Sequence, residues 1–207
     1  MSEPILLEVF SDYVCPWCYL GDNRTKRLKR DYNIHVELVH YPLHPDTPIE
    51  GRTLQELFNC GPDEIKAKNI KMQELMEAEG LPYGDRKYTF NSRIAQEIAV
   101  WAANQVGGEV IHEKFYEAYF VEGRNVGDVG VILDVVKSIG LDEAGARAVI
   151  ETRSYRDPVD LDWMKSRKYG VEGVPTYLSC GQLVTGAQPY SVLENLMHKV
   201  GAKKRSR

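Results

Sequence analysis

No run in this sequence approaches the roughly 20 consecutive apolar residues that a membrane-spanning helix requires. Basic charge is not in excess either: 26 Lys and Arg stand against 30 Asp and Glu, a net charge of -4. That balance lacks the electrostatic footprint of a nucleic-acid-binding protein. The one basic cluster, Lys203-Lys204-Arg205-Ser206-Arg207, reads as a frayed, solvated end. Histidines are few, and His35, His40, His44, His112 and His198 show no HxxxH-type pairing. Cysteine is scarce, with four in 207 residues, and only Cys15 and Cys18 stand at a CxxC spacing. Nothing around Met1-Ser2-Glu3-Pro4 resembles a basic n-region leading to an apolar h-region and a cleavage site. The expected compartment is therefore the reducing cytoplasm, where a CxxC is catalytic more often than structural.

What is present is centred on Asp12-Tyr13-Val14-Cys15-Pro16-Trp17-Cys18-Tyr19-Leu20-Gly21. The apolar run Ile5–Phe10 before it, broken only by Glu8, predicts a buried strand, and the Lys-, Arg- and Leu-rich stretch from Leu20 to Asp31 predicts a helix. Cys15 and Cys18 thus fall at the first turn of a helix, close enough to form a disulfide. The unpaired N–H groups and positive dipole end there stabilise a thiolate, and such motifs lower the first thiol's pKa from about 8.5 to roughly 3.5–7.5. Pro16 costs little at an early helical position, where its missing N–H has no partner to lose. Two rival readings are weaker. A zinc site needs two further Cys or His ligands at suitable spacing, which are missing, so no metal is expected. A purely structural disulfide across so short a loop would constrain little of the unfolded chain.

The composition, 43% hydrophobic and 27% charged, is that of a globular protein, and the length fits one domain with an insertion or two small ones. Ile34–Tyr41 alternates as a second strand, which a helix would join to the first as a parallel βαβ unit. Pro42–Gly51, with three prolines, makes a stiff connector. From Thr53 to about Thr152 the pattern is helical. Asp63–Glu79 places Ile65, Ile70, Met72, Leu75 and Met76 near one face, and Asn91 or Ser92 caps the next helix. Phe115, Tyr116, Tyr119 and Phe120 read as core, in a layer without chemistry of its own. Asp157-Pro158 predicts an N-cap and first helical residue. A strand over 174–180, a tight turn at Gly181, a second strand and a helix over 191–200 close the chain.

This order, with Gly173-Val174-Pro175-Thr176 ahead of the hairpin, resembles a thioredoxin fold, and the helical block inserted after the first βαβ resembles the DsbA family. The stretch Glu8–Gly21, with Leu43–Pro48, Phe115–Gly123 and Gly186–Pro189, is similar to the FrnE-like branch, neighbour to the 2-hydroxychromene-2-carboxylate isomerases and kappa-class glutathione transferases. The resemblance covers nearly the whole chain. It implies an α/β, thioredoxin-like domain of residues 1–43 and 154–207 and an all-helical, DsbA-like insertion of residues 44–153.

It further implies that Cys15 is the partly exposed nucleophile and Cys18 the buried resolving thiol. Pro175 would be a cis-proline facing them, whose turn projects the Val174 backbone toward an extended substrate; a trans proline opening an edge strand is the alternative. Pro16, Trp17, Val174 and Thr176 would form the substrate-binding surface. Glu8 would be a buried acid beneath the disulfide, its pKa raised, taking the Cys18 proton; the alternative is a strand carboxylate at the sheet edge. Two departures are informative. The isomerase and transferase branches carry Ser at the position of Cys15, and the His that the related branch shows near Gln96 is absent here. Trp17 also replaces the His of CPHC oxidases, which should make Cys15 less acidic and the disulfide less oxidising. Outside the motif, Cys60 is expected to be exposed at a helix end and Cys180 to be buried as a small hydrophobe. The expected activity is thiol–disulfide exchange through a mixed disulfide, on protein or small thiols and disulfides, with no cofactor; glutathione stays open as a co-substrate. The alternative is a glutathione-dependent isomerase or transferase acting on an aromatic or polyketide-like molecule. No membrane or nucleic-acid partner is expected, and the oligomeric state is not readable.

Overall fold

The computed structural model describes residues 3–205. These divide into two compact units, one of residues 3–41 with 162–205, the other of residues 42–161.

In the first unit, β1 (Ile5–Ser11), β2 (Ile34–His40), β5 (Thr176–Ser179) and β6 (Gln182–Thr185) form a four-stranded sheet of order β2-β1-β5-β6. β1 and β2 are parallel, joined through helix α1 (Pro16–Asp31); β5 pairs antiparallel with β1, and β6 with β5. Side chains alternate across a strand. Leu7 and Val9 face one side, in a core with Leu28 and Tyr32 from α1 and its C-cap and with Leu193, Leu196 and Met197 from helix α9 (Tyr190–Lys199). Full burial of one such side chain is worth about 1.5–3 kcal/mol. Glu8 and Phe10 face the other side, where Phe10 meets Tyr169 edge-on and Glu8 meets Lys165 of helix α8 (Arg156–Lys168). α1 buries Cys18, Gly21, Thr25 and Leu28 at helical spacing, and Lys29 and Arg30 complement the dipole in its last turn.

The second unit is helical as expected, with α2 (Leu54–Phe58), α6 (Val129–Ser138) and α7 (Glu143–Thr152) among its helices, except for a short antiparallel pairing of β3 (Arg52–Thr53) with β4 (Tyr88–Thr89). Two-residue strands carry no period that a sequence could show. Helix α3 (Pro62–Ala78) buries Ile65, Met72 and Met76, but Ile70 is exposed, against expectation, because it points off that stripe. Ser92 holds the N-cap position of α4 (Arg93–Ala102), yet the Asn91 side chain accepts the Arg93 N–H, at 3.0 Å. Phe115, Tyr116, Tyr119 and Phe120 are core residues; a π-helical turn over Glu117–Val121 follows helix α5 (Ile111–Tyr116).

Two local expectations change. α8 starts at Arg156, so Asp157 lies inside its first turn and not at the cap; Pro158 is still tolerated, because first-turn N–H groups have no helical partner. Cys180 is exposed, not buried. It forms the tip of the β5–β6 hairpin with Gly181, both at positive φ (45° and 77°), and a two-residue turn lifts its side chain off the sheet. Cys60 is half-buried.

Candidate active site

Cys15 is the N-cap residue of α1, with extended backbone, and Pro16 opens the helix. The Cys15 carbonyl accepts from the Cys18 and Tyr19 N–H groups at 3.0 and 3.2 Å, which wraps the CPWC turn tightly. Both thiols are free. Cys15 is only 3% exposed, not partly exposed as expected, because the Val174 carbonyl covers it: the thiol donates to that oxygen at 3.4 Å. Cys18, 2% exposed, lies behind it as expected. Burial, followed by the neighbouring Cys15, pushes the Cys18 thiol well above its ordinary range; hydrogen bonds from the Ser11 side chain and the Asp12 backbone pull weakly the other way. Trp17, 41% exposed, is the apolar side chain presented beside the pair.

The Val174–Pro175 bond is cis. Pro175 rests directly on α1 at Gly21, where a Cβ would come 2.6 Å from the Tyr177 hydroxyl and 3.1 Å from Pro175 Cγ. Tyr177 is fully buried and cannot swing away. The missing side chain at position 21 therefore sets how closely the Val174 carbonyl approaches Cys15. Gly21→Ala should cost about 1–3 kcal/mol through overpacking, and it should change the alkylation rate of Cys15 because the Val174 carbonyl moves. A urea midpoint and an alkylation rate both equal to wild type would show that Pro175 is not seated on Gly21. Val174 is itself 9% exposed. Thr176 is fully buried and its hydroxyl donates to the Gly173 carbonyl at 2.7 Å, so its side chain braces the loop and is not presented to a substrate.

Glu8 does not lie beneath the disulfide. The CxxC begins the helix that covers the Leu7/Val9 face, and alternation sends Glu8 to the opposite face, where it pairs with the Lys165 ammonium. It is a strand carboxylate paired with Lys165, and it is absent from the influences on the Cys18 thiol.

The residue that the same alternation sends toward the thiols is Ser11, after Leu7 and Val9, and it is 2% exposed. A parity count from the apolar positions of β1 would have found it. Asp12, also 2% exposed, shapes the turn: its carboxylate accepts the Val14 N–H at 3.1 Å and its carbonyl the Cys15 N–H at 3.1 Å. Nearby, His40 bridges Asp162 and Tyr13, an arrangement assembled from three distant stretches that no local motif announces. Among the described residues, no group of three or more His, Cys, Asp or Glu is placed to hold a metal ion, and no helix is long and apolar enough to cross a membrane.

Comparison with known proteins agrees with this geometry. The chain is 24% identical over 205 residues to the uncharacterized protein YwbO of Bacillus subtilis (strain 168), covering 96% of this chain and 98% of that one. Its fold is similar to that of a probable DsbA oxidoreductase from Streptomyces coelicolor (TM-score 0.88, 24% identity, 98% and 93% of the two chains). It is also similar to a 2-hydroxychromene-2-carboxylate isomerase (TM-score 0.74, 17% identity, 95% and 96%). The model of the DSBA-like thioredoxin domain matches residues 6–198. With that match spanning nearly the whole chain, this protein belongs to the DSBA-like thioredoxin domain family, whose members are generally disulfide oxidoreductases or isomerases.

Proposed function

We propose that this protein is a thiol–disulfide oxidoreductase that cycles Cys15 and Cys18 between dithiol and disulfide. The observation that carries the reading is the pair itself: Cys15 at a helix N-cap under the Val174 carbonyl, with Cys18 buried directly behind it. A sulfur in the substrate forms a mixed disulfide with Cys15. Cys18 then attacks Cys15, closes the intramolecular disulfide and releases the substrate as a thiol; the reverse sequence oxidises a dithiol substrate. Trp17, Pro16 and the Val174 backbone form the surface that receives the substrate, with no cofactor, in a reducing compartment such as the cytoplasm.

The test is equilibration of the protein with glutathione and glutathione disulfide, followed by mass spectrometry. The expected result is a reversible loss of two hydrogens, mapped to Cys15 and Cys18, with catalysis of insulin disulfide reduction. A glutathione-dependent isomerisation of a small aromatic substrate that survives Cys18→Ala would replace this reading with the isomerase one.

A further inference from the structure

One short segment of the sheet-bearing unit is gripped by a side chain that the exchange reaction above does not use. It is the strap of residues 185–188, which joins β6 to α9. β6 is the last strand in the sheet order, so strand pairing supports it on one side. Gly186, at φ 90°, turns the chain out of that strand, a conformation open to glycine. Its N–H donates to the Pro175 carbonyl at 2.7 Å. The Gln188 N–H returns to the Gly186 carbonyl and the Gln188 side-chain amide to the Thr185 carbonyl, both at 2.8 Å, which folds the strap closely on itself.

The next two carbonyls of the strap, those of Ala187 and Gln188, meet the same atom. Arg24 Nη1, on α1, donates to each of them at 2.8 Å. A guanidinium is charged at every ordinary pH and its donors are held in a plane, so it grips both carbonyl dipoles through charge-assisted bonds. Arg24 is half-buried and stands about one helical turn beyond Gly21, where the Pro175 ring rests. Pro175 is thus held from two sides, by Gly21 directly and by Gly186 through the strap, and both holds end on α1. The same helix carries Cys15 at its N-cap, and the Val174 carbonyl, one peptide before Pro175, accepts from that thiol at 3.4 Å. Each link from Arg24 to Cys15 is a direct contact: guanidinium to strap, strap to Pro175, and the bonded Val174 carbonyl to sulfur.

We propose that Arg24 is a positioning residue for disulfide exchange, which through the 185–188 strap keeps the Val174 carbonyl seated over Cys15 and its backbone aimed at an extended substrate. The inference rests on the redox reading of the CxxC. Two consequences run in opposite directions. With the clamp closed, the carbonyl covers Cys15, which is 3% exposed, so small reagents reach the sulfur slowly. The same seated backbone offers an extended peptide a fixed edge, so that its disulfide arrives in line for attack. Loss of the clamp uncovers the sulfur and blurs the edge. A small reagent then gains and a peptide loses. General loosening lacks that signature, since it exposes Cys18 along with Cys15.

Two rates on the reduced protein test this: alkylation of Cys15 by iodoacetamide, read by peptide mapping, and oxidation by an excess of an extended peptide closed by one disulfide. Arg24→Met keeps the stem and removes the donors. It should raise the ratio of the first rate to the second about tenfold, well inside the hundredfold that a misplacement of about 1 Å costs. Cys18 should stay protected from iodoacetamide. Arg24→Lys, which keeps the charge and a donor, should fall between Arg24→Met and wild type. An unchanged ratio in folded Arg24→Met protein would overturn the proposal, and so would equal acceleration at Cys15 and Cys18. Where the substitution prevents folding, amide hydrogen exchange of wild type decides. The Gly186 N–H should exchange about a hundredfold more slowly than an unstructured amide, and an unprotected Gly186 N–H would overturn the proposal as well. Failure of the redox reading looks different: wild type would leave the peptide disulfide intact, while iodoacetamide still separates Arg24→Met from wild type.

Discussion

Cys15→Ser is expected to reduce disulfide exchange to background, below about a thousandth of the wild-type rate, since the attacking thiolate is replaced by a weakly nucleophilic hydroxyl. Cys18→Ala is expected to behave quite differently. The first attack survives and the mixed disulfide on Cys15 accumulates, because the sulfur that stands behind Cys15 to resolve it is gone. The asymmetry follows from the environment and not from exposure, since the two thiols are almost equally buried, at 3% and 2%. Burial and the neighbouring Cys15 keep Cys18 protonated, so it does not compete for the substrate. Alkylation of reduced wild-type protein at mildly acidic pH should therefore mark Cys15 well before Cys18. The measurements are insulin reduction for the two variants and peptide mapping of the alkylated protein. Equal labelling of both cysteines, or a Cys15→Ser protein that still exchanges, would sink the assignment.

Glu97→Ala is expected to destabilise the helical unit by about 3 kcal/mol, the low end of what breaking a buried ion pair costs. The Glu97 side chain, only 1% exposed, accepts from Arg153 Nε and Nη2 at 2.8 and 2.6 Å and from Arg93 Nε at 2.7 Å. The cost stays at the low end because Arg93 keeps its ion pair with Asp160, at 2.7 Å, and Arg153 is 43% exposed and finds water. Burial works to raise the Glu97 carboxyl, but the two guanidiniums win and hold it below the ordinary range. A depressed folded-state value gives stability that is fully present above the unfolded carboxyl range, near pH 4.3. It is lost as the pH falls through the lower folded value. Urea denaturation at pH 7 and pH 3.5 checks both statements: the gap between wild type and Glu97→Ala should be wide at the first and narrower at the second. A gap under about 1 kcal/mol at pH 7 would mean that the cluster behaves like a surface ion pair.

Much of the architecture was legible in order and period. β1, the CPWC turn, α1 and β2 follow from an apolar run, a cap position and an alternating strand, and the hairpin follows from a glycine between two strands. The thiol pair was equally legible, because a CxxC at a helix start is local chemistry: spacing, dipole and proline all act within one turn. Glu8 departs from the position expected of it for a reason that the same alternation contains. A strand residue belongs to one face or the other, and the face covered by α1 is the one with Leu7, Val9 and Ser11, as the packing of Leu28 and Tyr32 against it shows.

What tertiary structure alone decided are the contacts between stretches far apart in the chain. The Val174 carbonyl reaches Cys15 across 159 residues, and Asp162 reaches His40 across 122. No local pattern encodes either, because each depends on which helix closes over which sheet face. The sequence by itself determined the redox pair and the fold around it, since both rest on short-range geometry and hydrophobic period. Packing determined what stands beside the pair: how deeply Cys15 is covered, that Gly21 seats Pro175, and that Ser11 and not Glu8 shares the face of the resolving thiol.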